Sequence, residues 1–184
     1  MTEAPLEPAL YLGVSAPATS SAAPLLLPPR GFKPAGTPFY VEPCANPYTH
    51  RSRSTKVQKA GLAYEKKAKD FLRRRFGSRL DLGPWYKFFD GHRTRYCQPD
   101  AVVQDEALGI LIVEIKLRFS DLAWWQLKEL YAPVIRKYFQ VKHLRLLCLC
   151  KSFDPAVVVP EIVPLIDNFD PRIEDCVYAQ LWRP

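Results

Sequence analysis

An α/β fold, with a central mixed sheet and a helix on each face, is what this sequence predicts, and three stretches predict it. "KVQKAGLAYEKKAKDFLRRRF" (56–76) repeats its apolar residues at a helical period. "ILIVEIKLRF" (110–119) alternates as a strand does. "SDLAWWQLKELYAPVIRKYF" (120–139) reads as a helix that leads into another strand, "HLRLLCLCK" (143–151). At 184 residues the chain is long enough for one domain with a real core and an appended arm.

The elements follow in order. Residues 1–48 hold ten of the eighteen prolines, too many for a helix or a sheet interior, so 1–50 is expected as an extended arm or disordered tail. Its "LLL", Phe39, Tyr40 and Tyr48 are apolar enough to lie on the domain or on a protein partner. Residues 51–184 are the expected domain. In its first helix Gly61, Leu62, Ala68, Leu72 and Phe76 form one stripe, and Glu65 falls near the middle of it, so the helix turns a carboxylate inward. "GPWYKFFDGHRTRYCQPDAVV" (83–103) predicts two strands joined by a turn at Asp90-Gly91, and "QDEALG" (104–109) a second hairpin. Ser120-Asp121 is a helix-start signal, and Pro133 is expected to bend that helix. The order is helix, three strands, helix, strand.

Composition excludes several classes. Hydrophobic content of 48% with 12% aromatics indicates a folded protein, and no apolar run reaches eighteen residues, so no membrane span is expected. The N-terminus lacks the basic start and apolar run of a secretory signal, and its first 29 residues contain no Arg or Lys, unlike a mitochondrial presequence. An intracellular, soluble, cytoplasmic protein is the expectation. Cys44, Cys97, Cys148, Cys150 and Cys176 include no C-x-x-C pair, and the three histidines show no ligand spacing, so reduced thiols are expected rather than a zinc site. The net charge of +7 is concentrated: residues 51–80 carry eleven Lys and Arg against Glu65 and Asp70. Such a cluster suits an anionic polymer.

The chemistry centres on "QPDAVVQDEALGILIVEIKL" (98–117). Alternation puts Leu111, Val113, Ile115, Leu117 and Phe119 on one face, read as core, and Ile112, Glu114, Lys116 and Arg118 on the other. An unpaired charge in such a strand costs several kcal/mol, so either that face is wet or its charges hold something. A hairpin can bring Asp100 beside Glu114. Two carboxylates from neighbouring strands form a hard-oxygen site suited to Mg²⁺, and a lysine beside them can act on a water and on phosphoryl charge.

Pro99-Asp100 followed by Glu114-Ile115-Lys116 resembles the PD-(D/E)XK nuclease superfamily, whose αβββαβ order would cover roughly residues 56–151. The resemblance implies a restriction-endonuclease-like core. It implies Asp100 and Glu114 as metal ligands, helped by the Ile115 carbonyl, with Lys116 as the catalytic lysine. Glu65 matches the acidic residue that many members place on the first helix. Gln126 is similar to a glutamine of RecB-like branches, whose tyrosine comes four residues later; here Leu130 holds that place and Tyr131 is one further on. The expectation is a Mg²⁺-dependent deoxyribonuclease, with Mn²⁺ able to substitute, acting in DNA repair or recombination. Lys66, Lys67, Arg73, Arg74, Arg118 and Gln126 are the expected DNA contacts. The chain shows no P-loop and no sequence-reading module, which predicts structure- or partner-directed cutting. A non-catalytic DNA-binding or assembly protein is the rival expectation, and self-association is left open.

Overall fold

The computed structural model describes residues 28–48, 56–107, 109–153, 162–165 and 175–184. They form a mixed α/β structure with two sheets. The larger sheet has the order β2 (Leu80–Leu82), β5 (Ala101–Asp105), β6 (Gly109–Phe119), β7 (Arg145–Phe153), β9 (Val177–Leu181) and β8 (Ile162–Leu165). In it β2–β5 and β5–β6 pair antiparallel, while β6–β7, β7–β9 and β8–β9 pair in parallel. The smaller sheet is β1 (Tyr40–Cys44), β3 (Trp85–Phe89) and β4 (Thr94–Cys97), all antiparallel.

Both faces of the larger sheet are covered. Helix α1 (Lys56–Phe76) packs Tyr64, Ala68, Leu72 and Phe76 on Ala101, Val103, Leu111, Val113 and Ile115. Those four positions recur at four-residue steps, close to the helical period, which is what lets one helix seal one sheet face. On the opposite face a continuous helical stretch carries Ala123, Trp124, Leu127, Val134 and Ile135 over Val102, Ile112, Leu146 and Cys148. It comprises α2 (Asp121–Trp125), a π-helical turn (Gln126–Tyr131) and α3 (Ala132–Phe139).

Several expectations change here. Leu62 is 56% exposed and lies off the α1 stripe, where Tyr64 takes its place. The segment expected as one strand through Gln98 and Pro99 is two: β4 ends in the small sheet and β5 begins in the large one, with Pro99 in the crossing between them. The first strand of the large sheet is β2, three residues long and too short to show an alternation. The second face of β6 is dry at Ile112 and Glu114 and opens to solvent at Lys116 and Arg118. Ile112 is fully buried, Glu114 is 3% exposed, and Phe119 joins the cluster on that side rather than the α1 side. Pro133 opens α3, and the irregularity of the helix lies just ahead of it as the π turn. All five cysteines are free thiols.

Residues 28–48 lie against the domain. Strand β1 adds to the edge of β3, where Pro43 is tolerated because an edge leaves ladder positions unused. The ring of Phe32 packs on Trp125 at 5.7 Å. Pro133 has no N–H to offer the carbonyl of Glu129 four residues earlier, and the N–H of Ala35 donates to it at 2.7 Å. No helix among the described residues is long and apolar enough to cross a membrane.

Candidate active site

The site forms where β5 enters the sheet beside β6. Ala101 pairs with Val113, so one step further the register sets Asp100 across from Glu114. Asp100 is fixed there by its Oδ2, which accepts the Ile115 N–H at 2.7 Å. The main chain of β6 therefore holds the carboxylate that the preceding strand delivers. Glu114 and Lys116 point the same way and pair, with Nζ to Oε1 at 2.5 Å. The second oxygen of Glu114, Oε2, is buried and accepts no hydrogen bond from the described residues.

Burial sets the electrostatics. The Glu114 carboxyl is pushed up to about 8 by desolvation first and by the charge of Asp100 second, against the pull of Lys116. Asp100 is also raised, by burial above all and by Glu65, while the Ile115 N–H, Lys116 and Lys69 oppose the shift. Desolvation works against the Lys116 ammonium, but Glu114 and then Asp100 hold its proton above the usual lysine range. The three groups thus form a tight set in which two carboxylates compete and one cation serves both. At neutral pH the Glu114 carboxyl is largely protonated unless further positive charge arrives.

The remaining predicted residues fall into three places. Glu65 is half-buried at the edge of the α1 stripe, and Lys69 bonds it at 2.5 Å. Its charge reaches Asp100, yet among the described residues no group of three or more His, Cys, Asp or Glu side chains gathers to hold a metal. Lys66, Lys67, Arg73 and Arg74 are exposed on α1, with Arg73 donating to Asp70 at 2.7 Å, and Arg118 is exposed on β6. Gln126 lies on the helical layer above the sheet, and its Nε2 donates to the Tyr131 hydroxyl at 3.4 Å. The π turn explains that contact, since a wider turn brings residues five apart onto one side.

Lys69 is a neighbour of the site that the sequence does not single out, and Cys148 is the reduced, buried thiol expected of it. Tyr131 is 4% exposed, and burial followed by the charges of Glu114 and Asp100 keeps its phenol protonated. Lys69 is signalled by its Glu65 partner four residues earlier. Cys148 pairs in register with Glu114 on β7 and is fully buried. Trp124 is a core residue and Trp125 packs edge-on against it, so neither offers an open ring face of the kind a base stacks on. His92 sits at the exposed tip of the β3–β4 hairpin, its main-chain N–H bonded to Asp90.

No protein-family model matches the chain, and no curated protein or solved structure matches it at a significant level.

Proposed function

We propose that this protein is a metal-dependent nuclease that hydrolyses phosphodiester bonds in DNA. The observation that carries this reading is the buried Glu114 carboxyl beside half-buried Asp100, with Lys116 bonded to Glu114. Charge of this kind is costly in a sheet interior and is kept where it serves a site. The donor set fits a hard divalent cation: two carboxylates, with Glu114 Oε2 buried and unpartnered, beside the main chain of Ile115. Asp100, Glu114 and the Ile115 carbonyl would hold Mg²⁺ or Mn²⁺. Glu65 could join them by exchanging Lys69. A cation bound there would polarise a phosphoryl oxygen and acidify a water.

The chain's own groups supply the rest. Lys116 is fully charged at neutral pH and sits beside both acids, where it can orient a water and offset charge growing on phosphoryl oxygens. Tyr131 lies buried within reach of the charges of Glu114 and Asp100, and Gln126 bonds its hydroxyl. Lys66, Lys67, Arg73, Arg74 and Arg118 are the exposed cations offered to the DNA backbone. The order α1, β2, β5, β6, α2–α3, β7, with β2–β5 and β5–β6 antiparallel and β6–β7 parallel, agrees with a restriction-endonuclease-like core of the PD-(D/E)XK superfamily. In that reading the β3–β4 hairpin is an insertion between the first two core strands.

One observation favours a second reading, a DNA-binding or assembly protein without catalysis: among the described residues no third acidic or imidazole ligand is gathered with Asp100 and Glu114. Supercoiled, linear and branched DNA incubated with the purified protein in Mg²⁺, Mn²⁺ or EDTA separates the two. Metal-dependent nicking that disappears in Asp100→Ala and Glu114→Ala is expected of the nuclease. Tight binding without a cut under any metal is expected of the second reading.

A further inference from the structure

A second feature lies on the far side of Gln126. Residues 28–34 wrap across the helical layer and enclose a groove of about 460 Å³, within the range of small-ligand clefts (roughly 300–1,000 Å³). Arg30, Phe32, Lys33, Arg95, Leu122 and Gln126 line it, and among the described residues no acidic side chain does. The turn is built for this. The N–H of Phe32 donates to the Pro29 carbonyl at 2.8 Å, and Gly31 has φ +81, the left-handed value that the third residue of such a turn requires. Arg30 is thereby set at the turn's apex and is exposed.

The segment is anchored without using its own cations. Arg95 spends its guanidinium on the carbonyls of Lys33 (2.5 Å) and Pro34 (2.6 Å) and lies 3.4 Å from Asp90. Phe32 packs on Trp125, and Ala35 is bonded to Glu129. Arg30 and Lys33 form no ion pair with any described residue, so two cations line one groove with their charge unspent. The groove is linked toward the carboxylate site through Gln126 and then Tyr131, which feels the charges of Glu114 and Asp100. Gln126 lines the groove and also bonds Tyr131, while its own Oε1 is buried with no partner among the described residues.

We propose that this groove is a phosphate subsite for a nucleic-acid strand, with Arg30 and Lys33 gripping a backbone phosphate upstream or downstream of the bond held at Asp100 and Glu114. The occupant is a polynucleotide because the groove offers two cations, Arg30 and Lys33, that pair with no acid among the described residues, on the side of Gln126 that leads through Tyr131 toward the proposed phosphodiester chemistry. This deepens the nuclease reading and rests on it for the identity of the strand, although the groove can be tested separately.

The test is equilibrium binding of fluorescently labelled single-stranded and duplex DNA to the full chain, in Ca²⁺ and again in EDTA, over a range of salt. Arg30→Ala/Lys33→Ala is compared with wild type, and Arg95→Ala asks whether releasing the segment has the same effect. Thermal melts show whether each variant folds. The double variant is expected to bind about tenfold more weakly. Its log–log salt slope should be shallower by about 1.4 for single strands or about 1.8 for duplex, the value for two phosphates no longer neutralised. Unchanged affinity and slope in a folded double variant overturn the subsite even if the wild type cuts DNA. Weaker binding by the double variant, together with a wild type that never cuts in Mg²⁺ or Mn²⁺, keeps the subsite and removes the nuclease. Poly-glutamate competing as well as an oligonucleotide of equal charge would show an acidic-protein dock instead, and would overturn the proposal.

Discussion

With 3% of its surface exposed and a carboxyl pushed up to about 8, Glu114 destabilises the fold whenever it ionises. Its folded value lies above the ordinary carboxylate value of 4.5, so the folded state holds the proton more tightly than the unfolded state does. Stability from this group is therefore complete below about pH 4.5 and is lost as pH rises through about 8. Glu114→Gln, which keeps the shape and cannot ionise, should melt above wild type at about pH 9 and close to it at about pH 5. Parallel melting curves at both pH values would contradict the buried placement. A divalent cation should act in the opposite direction, raising the wild-type melting temperature near pH 8 by binding the ionised form, with no such gain in Glu114→Gln. The pairing of Asp100 with Glu114 is legible in the sequence because alternation and hairpin register are local rules. The burial of Glu114 is not, since it depends on Leu127 and Tyr131 arriving from a helix further along the chain.

Helix α1 divides its labour by face. Leu72 is fully buried in the sheet-facing stripe, and truncation to alanine should cost about 2–5 kcal/mol, as expected when a packed leucine leaves a cavity. The exposed side is a charge surface that contributes little to stability. Neutralising Lys66, Arg73 and Arg74 to glutamine should leave the melting temperature nearly unchanged while weakening DNA binding at all sequences alike. The log–log salt slope should fall by about 0.9 for each duplex phosphate that the variant no longer neutralises. A slope equal to wild type would mean that this face is merely solvated. The helical period of α1 can be read directly, whereas β2 cannot, because three residues show no alternation and their strand state comes from pairing with Val103, Val102 and Ala101. The π turn is also beyond a fixed-period reading: counting by about 3.6 residues separates Gln126 from Tyr131, and only a locally wider helix brings them together.

Across the whole molecule, the proline-rich start reads in the sequence as an arm, and its described part is a structural layer, with β1 on the edge of β3 and Phe32 on Trp125. Partners as far apart in the chain as Glu42 and Lys87 leave no trace in local composition. Deleting residues 1–48 should expose the edge of β3 and the Trp125 ring, at a cost of at least about 2 kcal/mol, or roughly 4–8 °C in melting temperature. An unchanged melt would show that this layer is peripheral. The central claim is that the charged set inside the sheet performs chemistry rather than merely binding DNA, and Lys116 isolates it. Affinity of wild type and Lys116→Met for one DNA is measured in Ca²⁺, followed by the cleavage rate of the bound complex in Mg²⁺. Affinity is expected within a few-fold of wild type and the rate lower by roughly a hundredfold or more, equivalent to about 3 kcal/mol of transition-state stabilisation. A drop in affinity with no separate drop in rate, or a wild type that binds and never cuts, would contradict that claim.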